Sequence, residues 1–318
     1  MNVAIIGSGS WATALAKIVM HNASEINWHI RKQETIDEFV EIRRNPNHLE
    51  WAYFDVARIH FSADINAVIE QSDLLVLAVP SPYLKQSLND ITVDMSKKMV
   101  ISAVKGMIPD ENLLVTEYMH QQFNVPLENL GVIAGPCHAE EIALERLSYL
   151  TVGCKDMEKA IAWQKLFTTP YVHTTPSNDV EGLEYASVMK NIYAIAAGIC
   201  KSLHYGDNFQ AVLLTNAMHE MIRFTKAKAD IQGDVLVTAY SNFSRNRQFG
   251  QMIGMGYSVK AAQTEMEMVA EGYYGTKAIW LANQETQVDL PIVEAVYQIL
   301  YNRKSPKNTI KELTKKFQ

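Results

Sequence analysis

Along the first half of the chain, short and nearly continuous apolar runs alternate with helical periodicities. Asn2 to Ile6, Ile26 to Ile30, the segment near Ile59, Asp73 to Pro80, Met99 to Ala103 and Leu130 to Ala134 read as strands. Their unbroken apolar character, rather than strict alternation, is what a sheet covered on both faces requires. Between them lie a helical pattern from Thr13 to Val19 and polar helical stretches over residues 34 to 70 with an irregular middle at Asn45-Pro46-Asn47. Strand and helix alternate through residue 173, which predicts a doubly wound parallel sheet.

From about residue 177 the pattern turns to nearly all helix. Asn178 followed by Glu181 predicts a capping box, opening a helix that runs to about Lys201. Around Lys190-Asn191 this helix is apolar on almost every side, from Leu183 and Tyr185 through Met189 and Ile192 to Ala197, so it reads as buried. Glu271-Gly272-Tyr273-Tyr274 reads as a link between helical runs, and the stretch to Gln318 as core-packing helices with a frayed basic end. The expected fold class is α/β, with a Rossmann-type doubly wound domain over residues 1–177 and an all-helical domain over residues 178–318.

The first strand runs directly into Gly7-Ser8-Gly9-Ser10-Trp11-Ala12, a G-x-G-x-x-A turn that opens a helix. In a dinucleotide-binding unit the first glycine makes the turn, the second lets backbone approach a pyrophosphate, and the third small residue packs helix on strand. Phosphate then sits at the helix N-terminus, where unpaired N–H groups and the positive dipole end converge. The second strand ends in Arg31 and Lys32 rather than in an acidic residue. Cations there accommodate a 2′-phosphate, which favours NADP(H), with NAD(H) as the alternative cofactor.

Further chemistry gathers at the carboxyl ends of later strands. Lys105 follows the fifth apolar run, and Gly135-Pro136-Cys137-His138-Ala139 follows Leu130 to Ala134. A lysine within an apolar helix, as Lys190 is, either snorkels out or faces a polar cleft. In a partly desolvated cleft the neutral amine is favoured, as an acid or base working near neutrality needs. Ser244-Arg245-Asn246-Arg247 is a dense donor cluster suited to a phosphate monoester, and Gly233-Asp234 lies just upstream.

Composition narrows the class. The chain has 318 residues, 48% of them apolar, which suits about two domains rather than one core. A net charge of -6 without a block of like charges leaves nucleic-acid binding unsupported. The three cysteines, Cys137, Cys154 and Cys200, are widely spaced, against a disulfide framework or a structural zinc site. No metal is expected. The N-terminus enters a strand at once and no apolar run is long enough to span a bilayer, so a cytoplasmic protein is expected.

Taken in order, the motifs resemble the NAD(P)-dependent sn-glycerol-3-phosphate dehydrogenases of soluble bacterial type. The carriers are GSGSWATALA at Gly7 to Ala16, VKG at Val104 to Gly106, GPCHAEEIA at Gly135 to Ala143, LEYASVMKNIYAIAAGI at Leu183 to Ile199, GD at Gly233-Asp234, SRNR at Ser244 to Arg247 and VAEGYYGTK at Val269 to Lys277. The resemblance implies interconversion of glycerol 3-phosphate and dihydroxyacetone phosphate, supplying glycerol 3-phosphate for phospholipid synthesis. It implies cofactor contacts for Gly7, Gly9, Ser10, Trp11, Arg31, Lys105, Ala139, Arg245, Val269 and Glu271. It implies substrate contacts for Lys105, Gly135, Cys137, Lys190, Asp234, Ser244, Arg245 and Asn246, with Lys190 as proton acceptor in oxidation and Lys105 as its electrostatic partner.

Three positions depart from the family pattern. The stretch between Glu220 and Gly233 is shorter, Gln232 stands where leucine often precedes Gly-Asp, and Cys137 replaces the usual Ser or Thr. The expected partners are a small phosphorylated substrate and, among proteins, a second copy in a homodimer. The rival readings are another hydroxyacid dehydrogenase with a helical second domain, and a nucleotide-sensing protein without turnover.

Overall fold

A computed structural model describes residues 1–228, 245–266 and 269–317. The chain divides into two compact units, one made of Met1–Val104 and Val115–Val180, the other of Lys105–Leu114 and Glu181–Gln318.

The first unit contains β1 (Val3–Ile6), β2 (Ile26–His29), β3 (Ile59–Ser62), β4 (Leu74–Leu77), β5 (Met99–Ser102), β6 (Leu130–Ala134), β7 (Ser148–Cys154) and β8 (Val172–Ser177). They form one sheet in the order β3-β2-β1-β4-β5-β6-β7-β8. Every residue of β1, β2, β4 and β6 is buried, as their unbroken apolar runs require. The helices of this unit are α1 (Ser10–Asn22), α2 (Gln33–Ile42), α3 (Ile65–Glu70), α4 (Ser81–Leu88), α5 (Val115–Phe123), α6 (Ala139–Ala143) and α7 (Met157–Phe167).

All neighbouring strands pair in parallel except β6 and β7, which run antiparallel with Gly131 opposite Cys154. The fully parallel sheet expected from the alternation is therefore corrected at one step. The connection between these strands, residues 135–147, contains the short helix α6 and delivers β7 alongside β6 in the opposite direction.

The second unit contains α8 (Val180–Ser202), α9 (Asp207–Lys228), α10 (Arg245–Gly254), α11 (Val259–Glu265), α12 (Glu271–Thr286), α13 (Pro291–Leu300) and α14 (Pro306–Thr314). Its apolar core is built around α8, with Met189, Ile192, Ile195 and Ile199 fully buried. Helices α8 and α10 meet backbone to backbone. A Cβ on Gly198 would lie 2.1 Å from the Arg247 carbonyl oxygen, and one on Gly250 would lie 2.1 Å from that of Ile195.

Three local expectations change here. The helix starts at Val180, so Asp179 rather than Asn178 precedes it. Glu271 to Tyr274 form the first turn of α12 instead of a link. Gly272 is there for packing, since a Cβ would stand 2.6 Å from the Asn191 carbonyl oxygen. The basic C-terminal stretch up to Phe317 is anchored, not frayed: Ile310 and Leu313 are buried, and Phe317 stacks on Phe209 with ring centroids 5.7 Å apart.

Candidate active site

The glycine turn is built from three sides within the first unit. Gly7 adopts φ +124°, and a Cβ there would meet the Ala78 carbonyl oxygen at 2.7 Å, so only glycine serves. The buried Trp28 indole donates to the Gly7 carbonyl at 2.7 Å. Asn45 donates to the Ser8 carbonyl at 2.9 Å and to Thr13 Oγ1 at 2.8 Å. Ser10 Oγ lies 3.3 Å from His48 Nδ1. Trp28, Asn45 and His48 were not singled out from the sequence as supports of this turn. Asn45 lay within the irregular stretch, where a polar side chain breaking a helical pattern was the available signal.

Gly9 is different. It precedes α1 with extended backbone, φ -76° and ψ 176°, and nothing lies within 4 Å of where its Cβ would be. No side chain caps α1 and its first turn carries no acidic residue. This is an open approach onto uncapped N–H groups, which fits a pyrophosphate. Trp11, the second residue of α1, packs against the core while remaining half-buried. Arg31 and Lys32 are both exposed, between β2 and α2. At the end of β2, burial lowers the pKa of His29, and Arg31 adds to that effect.

After β6 the motif residues are committed to packing. A Cβ on Gly135 would lie 2.6 Å from the Tyr149 carbonyl oxygen. The Cys137 thiol, 4% exposed, donates to that same carbonyl at 3.0 Å. Ala139 is buried as the first residue of α6.

The remaining candidates belong to the second unit. Lys190 is half-buried in a stretch of α8 whose residues from Gly182 to Tyr193 are otherwise buried. Its neighbour Asn191 donates from Nδ2 to the Lys105 carbonyl at 2.8 Å, which brings the main chains of the two lysine segments together. Arg245 is exposed at the start of α10, and the buried Asn246 accepts the Gly272 N–H on Oδ1 at 2.8 Å. Val269 and Glu271 are half-buried on either side of the α12 start. Asp234 and Ser244 lie outside the described residues, as do Gln232 and Gly233 of the shortened stretch.

Elsewhere in this unit Glu220 of α9 is fully buried and accepts the Ile292 N–H at 2.5 Å and the Val293 N–H at 3.3 Å, capping α13. Burial pushes its pKa up to about 8, against the opposing pull of those two donors and of Arg223, with Asp289 adding to the rise. Burial, followed by Glu220, raises the Tyr193 phenol well above its ordinary value. A cleft of about 440 Å³ is lined by Glu294, Gln298, Lys304 and Glu312 among others, and no candidate residue lines it. Among the described residues no cluster of His, Cys, Asp and Glu is arranged to hold a metal, and no helix is long and apolar enough to cross a membrane.

A strand order reversing beside β1, a glycine turn feeding an uncapped helix, and a buried helix carrying one half-buried lysine define a dinucleotide-dependent oxidoreductase with a helical second unit. Comparison with known proteins gives the particular family. The chain belongs to the NAD-dependent glycerol-3-phosphate dehydrogenase family, whose N-terminal description matches residues 2–160 and whose C-terminal description matches residues 179–311. A glycerol-3-phosphate dehydrogenase [NAD(P)+] of Bacillus velezensis is 32% identical over 98% of this chain and 93% of its own length. One from Staphylococcus aureus is 31% identical, over 98% and 97%. The crystal structure of glycerol-3-phosphate dehydrogenase from Coxiella burnetii superposes with a TM-score of 0.86 at 26% identity, covering 98% of each chain.

Proposed function

We propose that this protein interconverts sn-glycerol 3-phosphate and dihydroxyacetone phosphate with NADP(H) as the favoured cofactor, and supplies glycerol 3-phosphate for phospholipid synthesis in the cytoplasm. The observation that carries the reading is Lys190, half-buried in an otherwise buried helix and tied through Asn191 to the main chain of Lys105.

When bound, the reduced nicotinamide supplies hydride to the substrate carbonyl carbon. Gly7, Gly9, Ser10 and Trp11 hold the cofactor at the glycine turn, with Ala139, Arg245, Val269 and Glu271 as further contacts. The Lys190 ammonium gives a proton to the developing alkoxide in reduction and takes it back in oxidation. The Lys105 ammonium adds positive charge near that oxygen and stabilises it as charge develops. Arg245, Asn246, Ser244 and Asp234 hold the phosphate end and backbone of the substrate, and Gly135 and Cys137 complete its surroundings. The protein acts as a homodimer.

The cofactor preference rests on Arg31, exposed where an NAD-selective enzyme would carry an acid. A charge-assisted contact to the 2′-phosphate contributes about 1.5 to 3 kcal/mol. Arg31→Ala should therefore raise the KM for NADPH about tenfold or more and leave that for NADH nearly unchanged. Equal losses for both cofactors would remove Arg31 from this role. The overall reading is tested by following NADPH and NADH oxidation at 340 nm with dihydroxyacetone phosphate against 2-oxo acids of similar size. Turnover confined to the phosphorylated ketone is expected, and turnover confined to the carboxylates would contradict it.

A further inference from the structure

The segment Lys105–Leu114 follows strand β5 in the chain but belongs to the helical unit, where Met107 and Leu114 enter the apolar core. The Lys105 main chain is held there by the 2.8 Å hydrogen bond from Asn191 Nδ2 to its carbonyl. Asn191 is 6% exposed, and its own carbonyl oxygen lies 2.6 Å from where a Cβ of Gly272 would be. Gly272 in turn donates its N–H to Asn246 Oδ1 at 2.8 Å. Three segments are thus linked at the turn of α8 that carries Lys190: that of Lys105 directly, that of Glu271 through Gly272, and that of Asn246 through Gly272 in turn.

A carboxamide in the middle of an apolar helix is unfavourable unless it is used, because its donors lose water on burial. The neighbouring α8 positions Met189, Ile192 and Ile195 are fully buried and apolar. What asparagine adds is a donor aimed at a main-chain carbonyl. Lysine side chains are long and have many rotamers, so the reach of the Lys105 ammonium is set by where its backbone is pinned. We propose that Asn191 is a positioning residue for the reaction, fixing the Lys105 main chain against α8 so that the Lys105 ammonium acts together with that of Lys190. This rests on the site reading given above for the two lysines. A misplacement of about 1 Å in such an arrangement costs about 10²-fold in rate.

The test is a double-mutant cycle in the full-length protein with Asn191→Ala, Lys105→Met and the pair, reading kcat, KM for dihydroxyacetone phosphate and the Kd for NADPH by fluorescence. Asn191→Ala should lower kcat about tenfold or more and raise KM, and any change in its NADPH Kd should be no larger than that of Lys105→Met, since Lys105 is also assigned a cofactor contact. In the Lys105→Met background the same change should alter kcat by less than about twofold, since no ammonium is left to misplace. Asn191→Leu fills the position with an apolar helix former and replaces the alanine variant in the cycle if that variant does not fold. Losses that multiply in the double variant would overturn the proposal, as would a folded Asn191→Leu enzyme with normal kcat and KM. Lys105→Met with unchanged turnover would instead overturn the site reading, and the proposal with it.

Discussion

On the proposed reading, Asn246 divides its side chain between structure and ligand. Its Oδ1 is occupied by the Gly272 N–H, which settles the orientation of the amide and leaves the NH2 as the group free to donate. Donors are what a phosphate takes. Asn246→Asp keeps an acceptor for Gly272 but presents a second oxygen where the donor was. It should therefore weaken dihydroxyacetone phosphate binding at least about tenfold while leaving the melting temperature near that of the parent. Calorimetric titration with the substrate and a thermal melt check both parts, and unchanged affinity would take Asn246 out of the site. Glu220 gives a residue-scale effect on stability. Its folded pKa, about 8, stands above the ordinary carboxylate value of 4.5, so between those limits the folded chain holds the proton more tightly than the unfolded one. Its contribution to stability is complete below 4.5 and is lost as pH rises through 8. The melting temperature of the parent should fall more between pH 6 and pH 9 than that of Glu220→Gln, and parallel melting curves across that range would refute the assignment.

At the scale of elements, the sequence was most legible where one requirement dominates. Buried strands β1, β4 and β6 announce themselves as apolar runs, and α8 as a helix apolar all round. Legibility failed where a residue serves two purposes. Gly272 has the composition of a break, yet it lies inside α12 because Asn191 leaves no room for a Cβ. The return of β7 was hidden because nothing in the pattern of β7 marks the direction of the strand. The excursion of Lys105–Leu114 into the helical unit has no marker in local periodicity, since a buried asparagine on α8 receives it. The glycines separate these roles experimentally. Gly9→Ala meets no atom within 4 Å and keeps an ordinary backbone, so stability should hold while NADPH affinity falls about tenfold or more. Gly250→Ala would put a methyl 2.1 Å from the Ile195 carbonyl oxygen, with backbone unable to yield cheaply. Overpacking of this kind costs about 1 to 3 kcal/mol, and a drop of several degrees in melting temperature is expected. Equal behaviour of the two variants in melts and cofactor titrations would contradict this division of labour.

For the whole molecule, each unit has its own apolar core, and the candidate chemistry is shared out between them. The cofactor turn belongs to the sheet unit, and the two lysines belong to the helical one. A protein that merely sensed a dinucleotide would need the first alone. The family match extends over both, with residues 2–160 and 179–311 covered. The central claim is that Lys190 moves the proton, and replacing it by methionine keeps its approximate volume while removing the charge. The most direct measurement is single-turnover and steady-state kinetics of Lys190→Met with NADPH and dihydroxyacetone phosphate, alongside an NADPH titration. The account predicts a folded enzyme that binds NADPH normally and whose kcat is at least about a hundredfold lower. A folded Lys190→Met enzyme that keeps most of its turnover would contradict it.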